Sequence, residues 1–150
     1  LARVDDPRSR WQGGDFAGLG DLPHAELMET AANYRFFFNP IRYTSLGLAI
    51  CEAMMVGLPV VGLATTELVT VIEDGWNGYL DTRPERLIDP VRALLKDPEL
   101  ARTLGNAARK TAIERFGIER FSRDWECVFR DVTGGTRTVF AAAAAAGGAA

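Results

Sequence analysis

The sequence predicts an α/β fold, a Rossmann-like parallel sheet with helices on both faces. Three observations predict it. Residues 35–39 and 59–63 are short apolar runs rich in aromatic or β-branched side chains, the composition of buried strands. Residues 46–56 between them are apolar on nearly all sides, which suits a buried helix, and Gly57 stops it. A strand, a helix and a strand in such quick succession form the βαβ unit of a parallel sheet.

The remaining elements follow in order. Residues 1–20 are polar and Gly-containing with no period, and are expected to be an irregular, truncated N-terminal segment. Gly18 and Gly20 imitate a dinucleotide fingerprint, but Pro23 takes the third glycine position. A helix is expected over about residues 22–33, with Asp21 as its cap and Pro23 in its first turn. His24, at its start, reads as a surface residue. Residues 40–45 form a loop. After the second strand, residues 64–70 lead into a short turn of helix. Asp74-Gly75 and Asn77-Gly78 mark turns around Trp76, which is expected to pack there. Residues 78–81 make a last strand. Residues 84–96 form an amphipathic helix with Leu87, Val91, Leu94 and Leu95 on one face. Asp97-Pro98 caps a helix carrying Leu100, Leu104, Ala107, Ala108 and Ala112, and a last helix from about Ile118 carries Phe121, Trp125, Val128 and Phe129. The chain therefore divides into an irregular segment (1–20), one domain (21–132) and a disordered Gly- and Ala-rich tail (133–150).

Composition excludes several functions. The net charge is −3 with both signs dispersed, so there is no basic stripe to track nucleic acid. Cys51 and Cys127 form neither a disulfide framework nor a zinc pair, which fits a reducing cytoplasm. Residues 46–63 are nearly all apolar, but Glu52 in the middle and the breakers Gly57 and Pro59 argue against a transmembrane segment. The chain begins at Leu1 without an initiator Met, so further residues are expected upstream.

The chemistry concentrates in residues 39–61. A strand ends in a loop that feeds a helix, and ligands of open α/β sheets bind at that carboxyl edge. The free amides of Leu46, Gly47 and Leu48 would face an anionic phosphate or a sugar oxygen, and Gly47 allows close approach. Glu52 lies on the same helix, where its carboxylate could accept both hydrogens of a ribose diol. The alternative for Glu52 is a solvated helix residue. Thr44 and Ser45 could cap the helix, contact a ligand, or both. Arg42 is a further polar candidate in the loop. Cys51, Met54 and Met55 read as core.

The segment resembles the signature of retaining glycosyltransferases of group one, or family four. Pro40, Gly47, Leu48, Glu52, Ala53, Met54, Gly57, Pro59, Val60 and Val61 match it as they stand. Residues 71–75 and 77–78 resemble its later turn, and the resemblance covers about residues 22–132. It implies the C-terminal, donor-binding half of a GT-B fold. It implies transfer of a sugar from a nucleotide sugar to an acceptor carbohydrate, lipid or small molecule, with retention and with neither metal nor other cofactor. Glu52 takes the place of the glutamate that grips the ribose. Thr44 stands where the family has a sugar-side glutamate, Ser45 replaces a Gly, and Leu46 a Phe. No catalytic residue is assigned beyond that place of Thr44. Residues 64–67 replace a Gly-Gly turn, making Thr66 and Glu67 candidate loop contacts, and Thr70 stands where a Glu is usual. The donor-binding set is then Arg42, Thr44, Ser45, Leu46, Gly47, Leu48 and Glu52. An N-terminal acceptor domain and the family's phosphate-binding Arg and Lys are expected outside this chain. The expected location is cytoplasmic, with a peripheral place at the inner membrane surface as the alternative. Two rivals stand beside this reading. One is a non-catalytic nucleotide-sugar or protein-binding module derived from such an enzyme. The other is a dinucleotide-dependent oxidoreductase, which the broken glycine pattern disfavours.

Overall fold

The computed structural model describes residues 22–133. Expectations for residues 1–20, for the tail beyond Thr133 and for Asp21 as a cap lie outside the described residues. The elements in chain order are α1 (His24–Ala31), β1 (Phe37–Asn39), α2 (Leu48–Met55), β2 (Val60–Leu63), α3 (Leu68–Val71) and β3 (Gly78–Asp81). A 3-10 turn (Pro84–Leu87), α4 (Ile88–Lys96), α5 (Pro98–Phe116) and α6 (Ile118–Thr133) complete them. The chain divides into two compact units at Ala112–Ile113, inside α5.

In the first unit the sheet has the order β1-β2-β3 and every pairing is parallel. Phe37 lies opposite Val60, and Val60 opposite Gly78. The middle strand β2 is buried along its whole length. Its alternating side chains serve two layers. Val61 and Leu63 pack with Leu87, Leu94 and Ala101 on one face. On the other, Leu68 of α3 approaches so closely that a Cβ on Gly62 would lie 2.9 Å from it. Helices thus cover both faces. Met54 and Leu94 are fully buried, each such side chain contributing about 1.5–3 kcal/mol.

Two polar or backbone features lock this unit. Asn77 is buried; its Nδ2 donates to the carbonyl of Val71 at 3.1 Å and to Thr111 Oγ1 at 3.0 Å, and its Oδ1 accepts from the Glu73 amide at 2.8 Å. Gly57 ends α2 with φ +85°, and α5 crosses it so closely that a Cβ on Gly105 would lie 2.0 Å from the Gly57 carbonyl oxygen. Only a glycine permits that approach.

Several expectations are corrected. The first strand begins at Phe37, not Arg35, and it is not buried: Phe38 is 49% exposed and Asn39 is its buried residue. Among the described residues β1 is an edge with one partner strand, which leaves its aromatic side chains half covered. α1 spans His24–Ala31 with Pro23 at its N-cap, and Asn33 falls in the turn beyond it. The stretch 84–96 is a 3-10 turn followed by α4, and Leu95 faces out. Trp76 stands 56% exposed at the turn, only partly covered by it. The cap at Asp97 is as expected: its Oδ1 accepts from the amides of Glu99 and Leu100 at 3.0 and 3.1 Å.

In the second unit, α6 carries a stripe of half-exposed apolar residues. Phe121 and Trp125 have ring centroids 6.1 Å apart, and Trp125 and Phe129 5.4 Å.

Candidate functional site

The site residues gather at the carboxyl ends of β1 and β2. From Asn39 the chain runs through an extended loop, residues 40–47, before entering α2. Arg42, Tyr43 and Ser45 are exposed on it, and Thr44 and Leu46 are half-buried. Gly47 is the N-cap of α2, with φ −79° and ψ 151°, and no side chain caps the helix. The helix therefore starts two residues later than expected. Capping by Thr44 or Ser45 is corrected, because both lie too far upstream to reach its first turn. With Gly47 as the cap, the first helical amides are those of Leu48 and Ala49, not of Leu46 and Gly47. The Leu48 side chain is 79% exposed beside them.

From β2 the chain leaves through residues 64–67. Thr66 adopts φ +50°, a conformation that β-branched residues rarely take. Its hydroxyl donates to the carbonyl oxygen of Thr44 at 2.6 Å. This bond joins the two loops at the sheet edge, so Thr44 and Thr66, read separately in the sequence, meet through backbone and side chain. Glu67 is exposed at the N-cap of α3, and Thr70 Oγ1 donates to its carbonyl at 2.8 Å.

Glu52 lies one turn into α2 with its side chain 34% exposed. That accessibility separates it from its neighbours Ala53 and Met54, which are buried. Its Oε1 lies 3.0 Å from Nε2 of His24, the first residue of α1. His24 is a surface residue, as expected, with its side chain 70% exposed, and the structure couples it to Glu52. The side chains are 28 positions apart, and no local pattern could have joined them. Partial burial pushes the Cys51 thiol up, with the Glu52 charge adding to the effect, so this cysteine stays protonated; it is half-buried and not, as expected, a core residue.

Among the described residues no group of three or more His, Cys, Asp or Glu side chains could hold a metal ion. No helix there is long and apolar enough to cross a membrane. A hollow of about 510 Å³ lies elsewhere, lined by Phe36, Phe38, Leu87 and Val91. Its walls are almost entirely apolar and include none of the expected site residues.

Known proteins resemble this chain in sequence and in fold. The family described as "Glycosyl transferases group 1" matches residues 15–111. The chain belongs to that family. It is 37% identical over 92 residues to N-acetyl-alpha-D-glucosaminyl L-malate synthase of Bacillus anthracis, covering 59% of this chain and 24% of that enzyme. It is 30% identical over 120 residues to alpha-maltose-1-phosphate synthase of Mycolicibacterium smegmatis, covering 75% of this chain and 31% of that enzyme. Among solved structures, sucrose-phosphate synthase of Thermosynechococcus elongatus superposes with a TM-score of 0.70 at 24% identity, over 77% of this chain and 30% of that one. HepE of Anabaena, solved in complex with UDP and glucose, superposes with a TM-score of 0.61 at 21% identity, over 69% of this chain and 29% of that one. The chain spans less than a third of each of these proteins. The parallel sheet with helices is accordingly that of the GT-B glycosyltransferases.

Proposed function

We propose that this chain forms the donor side of an enzyme that transfers a sugar from a nucleoside diphosphate sugar to an acceptor, with retention at the sugar carbon. The observation that carries the reading is the accessible Glu52 carboxylate, one turn from the open N-terminus of α2, within the family's signature. Glu52 accepts the ribose hydroxyls. The amides of Leu48 and Ala49, with the positive end of the helix, meet the diphosphate and stabilise its charge as the glycosidic bond breaks. Thr44, Ser45, Leu46 and Gly47 line the sugar side, Arg42 approaches from the loop rim, and Thr66 and Glu67 close the opposite side. The donor is a substrate, and the reaction runs without a metal or other cofactor. The acceptor is a carbohydrate, lipid or small molecule. A second domain, N-terminal to this one in the longer protein, supplies the acceptor wall and basic residues for the phosphates. The UDP held by HepE supports a nucleoside diphosphate as the donor's leaving group. The place of work is the cytoplasm, with the inner membrane surface as the place of a lipid acceptor.

The test is donor binding and sugar transfer by the full-length protein and its Glu52→Ala variant. A charge-assisted hydrogen bond is worth about 1.5–3 kcal/mol, so donor affinity falls roughly ten- to a hundred-fold in the variant. Equal binding and turnover by both proteins would show that Glu52 does not hold the ribose. Tight binding of nicotinamide dinucleotides, with none of nucleoside diphosphate sugars, would overturn the transferase reading.

A further inference from the structure

We propose that His24 is a positioning residue for the nucleotide: it holds one oxygen of the Glu52 carboxylate and presents the other to the ribose. This rests on the nucleotide-sugar reading above. The observation is the 3.0 Å contact between His24 Nε2 and Glu52 Oε1. The two residues come from different helices, α1 and α2.

Three features separate this pair from a chance surface contact. First, Glu52 lies one turn into α2, whose N-terminus follows the loop leaving β1, and both side chains are reachable from solvent, His24 at 70% and Glu52 at 34% exposure. A ligand can meet the pair without unfolding anything. Second, α1 buries none of its own residues. A core requirement therefore does not explain why its first side chain turns toward α2. Third, the hydrogen-bonding capacity adds up. A carboxylate has about four lone-pair sites and an imidazole N–H fills one of them. Oε2 and the spare lone pair of Oε1 remain for the two hydroxyl hydrogens of a ribose diol. His24 and the ribose can occupy Glu52 together, so the imidazole need not leave when the nucleotide arrives.

The consequence is preorganisation. A free glutamate on a helix surface samples several rotamers, and a ligand that needs one of them must order the chain as it binds. The imidazole does that ordering beforehand. Removing it leaves Glu52 in place but unfixed, which weakens nucleotide binding by roughly three- to ten-fold. The weakening falls on the ribose interaction and spares the phosphate and base contacts.

The experiment compares His24→Gln with His24→Met in the full-length protein. Both side chains are unbranched, of similar size and good helix formers, but only Gln carries a donor near the position of Nε2. The probes are UDP and 2′,3′-dideoxyuridine 5′-diphosphate, titrated by calorimetry or NMR, with circular dichroism to verify folding. The expected result is that His24→Met binds UDP roughly three- to ten-fold more weakly and loses part of the parent's preference for UDP over the dideoxy analogue. His24→Gln recovers both. Combined with Glu52→Ala, His24→Met adds no further loss, because it acts through that carboxylate. A His24→Met variant with the parent's affinity and preference overturns the proposal, as does a loss that adds fully to that of Glu52→Ala. If the parent itself does not distinguish UDP from the dideoxy analogue and Glu52→Ala changes nothing, the ribose reading of the site falls and this proposal with it. A discriminating parent beside a neutral His24→Met overturns the role of His24 alone.

Discussion

Thr66 is held at φ +50° while its hydroxyl donates to the carbonyl oxygen of Thr44 at 2.6 Å. One residue thus combines an unfavourable backbone conformation with the bond that ties the β2–α3 loop to the loop entering α2. The two effects are separable by substitution. Thr66→Gly relieves the backbone and loses the bond, so its stability stays within about 1 kcal/mol of the parent. Thr66→Val keeps the strain and loses the bond, so it is destabilised by about 0.5–1.5 kcal/mol. Urea denaturation of the two variants checks the order. A Val variant as stable as the parent would mean the hydroxyl bond contributes nothing.

Asn77 joins the Val71 carbonyl, the Glu73 amide and the Thr111 hydroxyl within the core. Truncation to Ala strands buried polar groups, each costing about 1–3 kcal/mol. Asn77→Ala is therefore expected to lower the unfolding free energy by at least about 2 kcal/mol. Asn77→Asp keeps the acceptor but replaces the donor with a buried charge, and is expected to be at least as harmful. Chemical denaturation measures both; a loss below that of an ordinary surface change would contradict the hub.

Gly105→Ala tests the crossing of α5 over Gly57. Its new methyl would start 2.0 Å from the Gly57 carbonyl oxygen, a backbone atom that cannot rotate away. In an exposed helix this substitution stabilises by about 1 kcal/mol. Here it is expected to destabilise by about 1–3 kcal/mol through overpacking. The sign of the change in the thermal midpoint decides.

Asp81 carries a pH dependence. The Arg83 amide, donating to its Oδ1 at 2.8 Å, holds its carboxyl below the ordinary value of 3.8, and the Arg83 and Arg86 guanidinium groups act in the same direction. Its folded form binds protons less readily than its unfolded form, so its stabilisation is present above pH 3.8 and fades as pH falls through the lower folded value. Asp81→Asn removes that contribution. The variant's stability should fall less steeply than the parent's below about pH 4, measured as denaturant midpoints across that range. Parallel curves would show that Asp81 is not linked to folding.

The βαβ core was legible because its signals are local. Gly57 and Pro59 punctuate the chain, and Val60 to Leu63 is apolar enough to be buried on both faces. The expectation that Phe36 to Phe38 would be equally buried missed the position of β1 within the sheet, which no run of three aromatics records. The start of α2 was misplaced because Leu46 continues the apolar pattern of the helix, while the backbone remains extended through Gly47. Asn77 read as a turn residue, since its type favours turns; its buried role depends on Thr111, 34 positions away. Glu52 stands out as a candidate through the signature. Its partner His24 does not, because their meeting depends on how α1 packs against α2 and not on any spacing in the chain.

β2 is paired on both edges and covered on both faces. Its peptide groups should therefore exchange their hydrogens with solvent only when the whole unit unfolds, among the slowest events of the native state. The loops at 40–47 and 65–67, which leave the ends of β1 and β2, lie outside the strand ladder and should exchange through small, frequent openings. The site thus joins two clocks across a few residues. Its floor keeps its geometry for as long as the unit stays folded, while its rim rearranges on the timescale of loop motion. Whatever enters or leaves between the two loops moves with the fast clock, and the register of the strands beneath them belongs to the slow one.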